Sequence, residues 1–326
     1  MTGALVDIVR DELAGIPHRE ASAVAGELAA MGRGGVAAIL YYGSALRARQ
    51  PNGVLDFYVL LDDQKSWPRT RLGALANAVL PPNVEFREFV VDETRLRAKI
   101  AILSLPQFEA MTRGEGLDTT VWARFSQPSV LAWSRDAAAR EAVAAAVAEA
   151  LVTAARFAAA LGPREGRADT FWSALFKQTY AAELRVERKG REKSLMAFAA
   201  PRYGVLTPLA WTAAGIGFHE GPQGLLRPVL GEAERRRLLA AWTRRRKFGK
   251  PLNILRLAKA VFTFEGAARY AAWKIRRHTG LELEVTPWRE RHPILAAPGV
   301  AWRLWREGVF GQAKARALPS PEGAEA

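Results

Sequence analysis

Two apolar runs of strand length, "GVAAILYYG" at 35–43 and "VLDFYVLLDD" at 54–63, constrain the fold more than any other feature of the sequence. Neither alternates cleanly between apolar and polar residues. Each reads as a strand of a small α/β domain. The second run also carries one acid in its interior. Desolvating Asp56 between Leu55 and Phe57 is costly, so the carboxylate must be hydrogen-bonded, sit at an exposed strand end, or hold a metal.

The surrounding segments supply the other elements. Helical spacing predicts helices over Leu5–Leu13, Arg19–Met31 and Arg71–Val79, "VEFREFVVD" predicts a third strand, and "RAKIAILS" a fourth. Ser104 is placed to cap a short helix in "LPQFEAMTRG". From Arg135 the texture becomes helical: Asp136–Leu161, Asp169–Glu187 and Ser194–Ala200 are expected helices. The Gly/Pro-rich stretch 201–228 reads as loops with short helices, and two basic helices follow, split near Pro251. The expected fold is α+β, with a mixed sheet and flanking helices over residues 1–132. A mainly helical domain over 133–232 would complete the site, a basic amphipathic region would span 233–316, and a disordered tail 317–326.

Composition excludes several kinds of chemistry. The chain has no cysteine, which removes thiolate nucleophiles, disulfides and Cys-ligated zinc. His18, His219, His278 and His292 show no metal-ligand spacing. The N-terminus has no signal-peptide pattern, and the Ala-rich run 141–162 reads as a packed helix rather than a membrane span. The net charge of +14 is concentrated: residues 233–278 carry fourteen Lys/Arg against two acids, a net +12. That density points to a polyanionic surface, either an anionic membrane face or nucleic acid.

"YYGS" at the end of the first run, with Asp56 on the neighbouring strand, is the layout of the nucleotidyltransferase superfamily that includes DNA polymerase β. A Gly-Ser turn lets backbone N–H groups approach a triphosphate, and the acid beside it can hold the Mg²⁺ that bridges the phosphates. The superfamily usually has a second acid two residues on, where this chain has Tyr58. On the pattern alone, a structural turn beside a satisfied aspartate is the commoner reading.

Read together, "YGS", Gln50, "VLDFYVLLDD" and Trp67 resemble the mitochondrial translocator-assembly-and-maintenance family of CDP-diacylglycerol synthases, in which an apolar residue stands where the second acid is usual. "RAKIAILS" is similar to that family's lysine-bearing strand, and "WSALFKQTYAAELRV" to its acid- and arginine-bearing helix end. The chain departs from the family at Trp67-Pro68, at Ala45, and around Val79–Asn83, where the family's H-Y-S triplet is missing.

The resemblance implies a phosphatidate cytidylyltransferase that converts CTP and phosphatidic acid into CDP-diacylglycerol and pyrophosphate, with Mg²⁺ as cofactor. Asp56 would be the catalytic, metal-holding carboxylate. Tyr42, Gly43, Ser44, Lys99, Arg185 and Lys193 would contact nucleotide or lipid phosphate, and Glu183 matches the family's helix acid. Glu85 is the expected second metal ligand, with Glu88 and Asp92 as the other acids of that strand. Strand alternation lets only one of Glu85 and Glu88 point inward. Asp62-Asp63 at a strand end more commonly caps a turn.

The helix in 250–277 is expected to lie on an anionic membrane surface, which makes the protein peripheral on the cytoplasmic face of a membrane. Its rival is an amphipathic helix packed on the domain. Two other functions fit the same residues: nucleotidyl transfer to a different phosphate acceptor, and an inactive nucleotidyltransferase-like domain in a basic nucleic-acid-binding protein. The second is disfavoured because the aromatics of the basic region sit among aliphatic neighbours rather than in stacking positions.

Overall fold

The structure is a computed structural model that describes residues 3–47, 53–68, 71–182, 191–263, 267–279 and 281–291, with single positions 296, 298, 299, 302 and 306. The first elements in chain order are α1 (Gly3–Leu13), α2 (Arg19–Met31), β1 (Val36–Tyr42), α3 (Ser44–Arg47), β2 (Val54–Leu61), α4 (Arg71–Val79), β3 (Asn83–Val91), β4 (Thr94–Ser104) and α5 (Leu105–Thr112). They are followed by α6 (Thr120–Phe125), β5 (Ser129–Ser134), α7 (Ala137–Leu161), α8 (Ala168–Ala182), α9 (Arg191–Ala213), β6 (Gly217–Glu220), β7 (Leu226–Val229), α10 (Glu232–Thr263), α11 (Ala267–Thr279) and α12 (Pro287–Arg291).

The fold is α+β, built on a mixed five-stranded sheet of order β3-β4-β2-β1-β5 in which β2 and β4 run parallel and the other neighbours antiparallel. Both faces are covered. Leu40, Tyr58, Leu60 and Leu103 face a large core shared with α1 and α5–α10, while Ile39, Phe57, Val59, Leu61 and Ile100 face a smaller one under α2 and Trp67. β3 and β4 are joined by a two-residue turn, Asp92-Glu93, with both residues at positive φ as a tight hairpin requires. Ser104 caps α5 in a reciprocal capping box with Gln107.

Two expectations are corrected, and a fifth strand joins the four expected. "SVLAWS" forms the fifth strand, β5, beside β1; it is too short for its pattern to show before pairing. The stretch from Pro201 is not loop: α9 runs through Pro201 and Pro208 to Ala213, and β6–β7 then form a hairpin. An interior proline costs a helix about 3 kcal/mol. Here packing offsets it, because Tyr203 stacks on Trp172 at 4.3 Å, the Trp172 indole donates to Thr207 Oγ1 (2.8 Å), and the Trp211 indole donates to the Ala155 carbonyl (3.0 Å). Likewise α10 continues through Pro251 as one 32-residue helix.

The chain divides into two compact units, Met1–Thr263 and Phe264–Ala326. Within the first the core is shared: α7 to α10 bury their apolar faces against the same side of the sheet. α7 is long and apolar enough to cross a membrane by length and composition, and 78% of its most apolar window is buried against other elements.

Candidate functional site

The site grows from the turn after β1. Gly43 has φ +93°, a conformation that favours glycine, and a Cβ placed there would lie 2.9 Å from Asp56 Oδ2. The aspartate therefore lies against the glycine backbone, and the two positions constrain each other. Register sets the rest: Tyr42 on β1 and Lys99 on β4 both stand directly opposite Asp56. Tyr42, Asp56 and Lys99 thus form one row across three strands, on the sheet face of the larger core, where β1 stops and β2 begins and midway along β4. Each of the three is half-buried, and Ser44 opens the one-turn α3 beside them.

Sequence reasoning missed one cation of this end. Arg124, from the unanticipated helix α6, donates through Nη1 to Tyr58 Oη at 2.7 Å, and its Cζ lies 5.3 Å from the Tyr42 ring centroid and 5.7 Å from that of Tyr58. Tyr58 is itself buried, edge-on to Phe125. No local signal marks Arg124, because the strand it approaches lies 66 residues away in the chain.

Glu85 is not at this site. It pairs with Ile100, one residue out of step with the Lys99 row, and so projects from the opposite face, where it is 2% exposed. Its Oε1 accepts the Trp67 indole N–H at 2.8 Å and its Oε2 pairs with Arg87 at 2.8 Å. Trp67 accordingly serves to satisfy a buried acid. Glu88 does share the Asp56 face, but it is ion-paired with Arg97 (3.1 Å) and Arg95 (3.7 Å). Asp92 sits in the hairpin turn, paired with Arg19. Asp62 pairs with Arg135, and Asp63 caps a short turn by accepting from Lys65 N at 2.9 Å. Among the described residues, no three His, Asp or Glu side chains gather to hold a metal. One carboxylate beside a backbone turn still matches the way Mg²⁺ is commonly held, by one or two acids together with substrate phosphates. Glu183 and Arg185 lie outside the described residues, as does the side chain of Lys193, whose backbone belongs to α9.

Because Glu85 is structural, Glu85→Gln is expected to lower stability by about 1–3 kcal/mol, the range for disturbing buried hydrogen-bond partners. Its effect on any activity of the Asp56 end should be small. Urea unfolding beside a turnover assay checks both.

The first half of the basic region is anchored rather than free. Arg256 pairs with Asp118 at 2.8 Å, both largely buried, and donates to the Pro81 carbonyl (3.1 Å), while Lys259 Nζ donates to the carbonyls of Leu80 (2.5 Å) and Pro82 (2.7 Å). Nearer the helix start, Trp242 is buried against Trp122 and Phe157, and Arg245 lies over the Phe157 ring and donates to the Gly114 carbonyl. Burial by itself raises the Asp118 carboxyl. The Arg256 charge and hydrogen bond, with the Thr120 N–H and hydroxyl, outweigh it and hold the group below the usual carboxylate range.

The outward face of α10 is different. Arg236, Arg237, Arg244, Arg246, Lys247 and Lys250 are exposed there, among Phe248, Ile254 and Leu255, the last two 56% and 59% exposed. The stripe expected over 250–277 is thus corrected: Arg256 and Lys259 face the domain, and the exposed cationic and apolar surface of α10 begins earlier. A separate cavity of about 500 Å³, lined by Arg10, Trp133, Ser134 and Arg140, lies between α1, β5 and α7 at the far end of β5 from the Tyr42 row.

No family model and no curated protein matches this chain.

Proposed function

We propose that the protein is a Mg²⁺-dependent nucleotidyltransferase of the phosphatidate cytidylyltransferase type, acting at the cytoplasmic face of a membrane. The observation that carries this reading is the row Tyr42–Asp56–Lys99 beside the Gly43-Ser44 turn, at one end of a mixed sheet. Asp56 would hold Mg²⁺, which when bound neutralises charge on the triphosphate. The Gly43-Ser44 backbone would lie against the β and γ phosphates, and Lys99 would offset the charge of the reacting phosphates. A phosphatidate oxygen attacks the α phosphorus of CTP, the new P–O bond forms as the bond to the β phosphate breaks, and pyrophosphate leaves. Phosphate monoesters are anionic at neutral pH, so no strong general base is needed.

Labelled CTP, Mg²⁺ and phosphatidate liposomes test the reading directly: CDP-diacylglycerol should form, and its absence from the wild-type reaction overturns it. Transfer to another phosphate acceptor would show as pyrophosphate release when that acceptor replaces phosphatidate in the reaction.

The outward face of α10 supports a lipid-surface location, since exposed cations interleaved with apolar side chains suit an interface of headgroups and acyl chains. Changing Arg244, Arg246, Lys247 and Lys250 together to Gln should lower binding to anionic liposomes by up to about a thousandfold, at about 1 kcal/mol per basic residue near the surface. Flotation at physiological salt measures it, and unchanged binding removes this face from the interface. The same cations also suit a nucleic-acid backbone, for which binding would fall steeply with salt.

A further inference from the structure

We infer that Arg124 is a phosphate-binding residue of the Asp56 end, with Tyr58 as the positioning residue that aims it. The inference rests on reading that end as a phosphate-transfer site, and it assigns a charge to the place where the expected second acid is missing. Tyr58 stands two residues after Asp56 and on the same face of β2, so it occupies the position from which a second carboxylate would hold a second cation. In this chain the Tyr58 hydroxyl instead accepts a hydrogen bond from a guanidinium at 2.7 Å. Positive charge is thereby brought to the same strand end by a side chain.

The geometry favours binding over mere filling of space. The guanidinium is held against the Tyr42 and Tyr58 rings, at 5.3 and 5.7 Å, and Tyr42 stands opposite Asp56 in the register. Cation–π contact with two rings together with a hydroxyl bond holds the guanidinium in place before any ligand arrives, so less rotamer entropy remains to be lost on binding. Arginine stays protonated at all relevant pH, and its fork of N–H donors matches phosphate oxygens in pairs. Lys99 provides a second positive charge in the Asp56 row, so an anion over that row would meet cations contributed by both the sheet and α6.

The phosphate could be that of a nucleotide or of a lipid, and the test separates them. Affinities of the full chain for tripolyphosphate, CTP and a short-chain phosphatidate are measured with Mg²⁺ by calorimetry, for wild type, Arg124→Gln, Arg124→Lys, Tyr58→Phe and the double variant Tyr58→Phe/Arg124→Gln. Arg124→Gln should weaken at least one probe by about tenfold or more, as expected for a lost charge-assisted hydrogen bond. Weakening of tripolyphosphate and CTP assigns Arg124 to the nucleotide, and weakening of phosphatidate alone assigns it to the lipid.

Tyr58→Phe should weaken the same probe less, and the double variant should be no worse than Arg124→Gln alone, because Tyr58 acts through Arg124. Additive losses would remove the positioning role of Tyr58. If Arg124→Gln does not fold, Arg124→Lys carries the test: it keeps the charge but loses the fork, and severalfold weaker binding is expected. Wild-type affinity in the folded Arg124 variants for every probe, or no binding of any probe by wild type, overturns the inference. Phosphate binding that depends on Arg124 without any CDP-lipid product would overturn the proposed reaction and leave this inference standing.

Discussion

Asp56→Asn should abolish CDP-diacylglycerol formation, with turnover reduced about a thousandfold or more, equivalent to about 4 kcal/mol of barrier at 1.36 kcal/mol per decade. The substitution keeps the size and shape of the side chain and removes its charge. Asp56 is half-buried and Asn keeps its volume, so the variant should still fold, with urea unfolding measuring what the lost charge costs. Loss of turnover with stability intact locates the chemistry at the end of the sheet, whereas full activity in the variant removes Asp56 from it. Gly43→Ala provides a companion result: its Cβ would meet Asp56 Oδ2 and its backbone would be strained at φ +93°, so activity and stability should fall together.

Arg256→Gln should be among the most destabilising changes outside the apolar cores, at about 3 kcal/mol, because it strands the largely buried Asp118 carboxylate without its cation. Asp118→Asn should cost less, since Arg256 keeps the Pro81 carbonyl as an acceptor. The pH dependence has a defined sign. A carboxyl held below its unfolded value adds stability above the unfolded pKa, near 4, and that contribution is lost as pH falls through the lower folded value. The stability gap between wild type and Asp118→Asn should therefore be full at pH 7 and close on acidification below about pH 4. Urea midpoints across that range measure it, and a gap that does not change with pH would mean that the ion pair does not anchor α10.

Much of the scaffold is legible in the sequence because its determinants are local. α2 and α4 occupy the spans that their apolar spacing indicates, Arg19–Met31 and Arg71–Val79, the first four strands follow their apolar runs, and Ser104 caps α5. The Gly43 turn and the placement of Asp56 beside it are readable for the same reason, since the chain there must reverse and a lone acid cannot be left unsatisfied in a strand.

What failed to show is what distance along the chain conceals. β5 is a strand only by virtue of β1, and α9 survives two prolines only because Trp172, Trp211 and Ala155 offset their cost. The alternation rule says that Glu85 and Glu88 face opposite ways, but only the pairing of β3 with β4, and of β4 with β2, decides which of them shares a face with Asp56.

The composition of the basic helix is equally visible in the sequence, yet which cations turn inward to Asp118 and the Leu80–Pro82 carbonyls depends on where that helix docks. By itself the sequence determined an α+β sheet with flanking helices and an aspartate on the strand beside a glycine turn, because periodicity and backbone strain act over a few residues. Tertiary structure alone decided that Arg124 meets Tyr58 and that Glu85 belongs to the opposite face, because register and docking are settled by contacts between segments far apart in the chain.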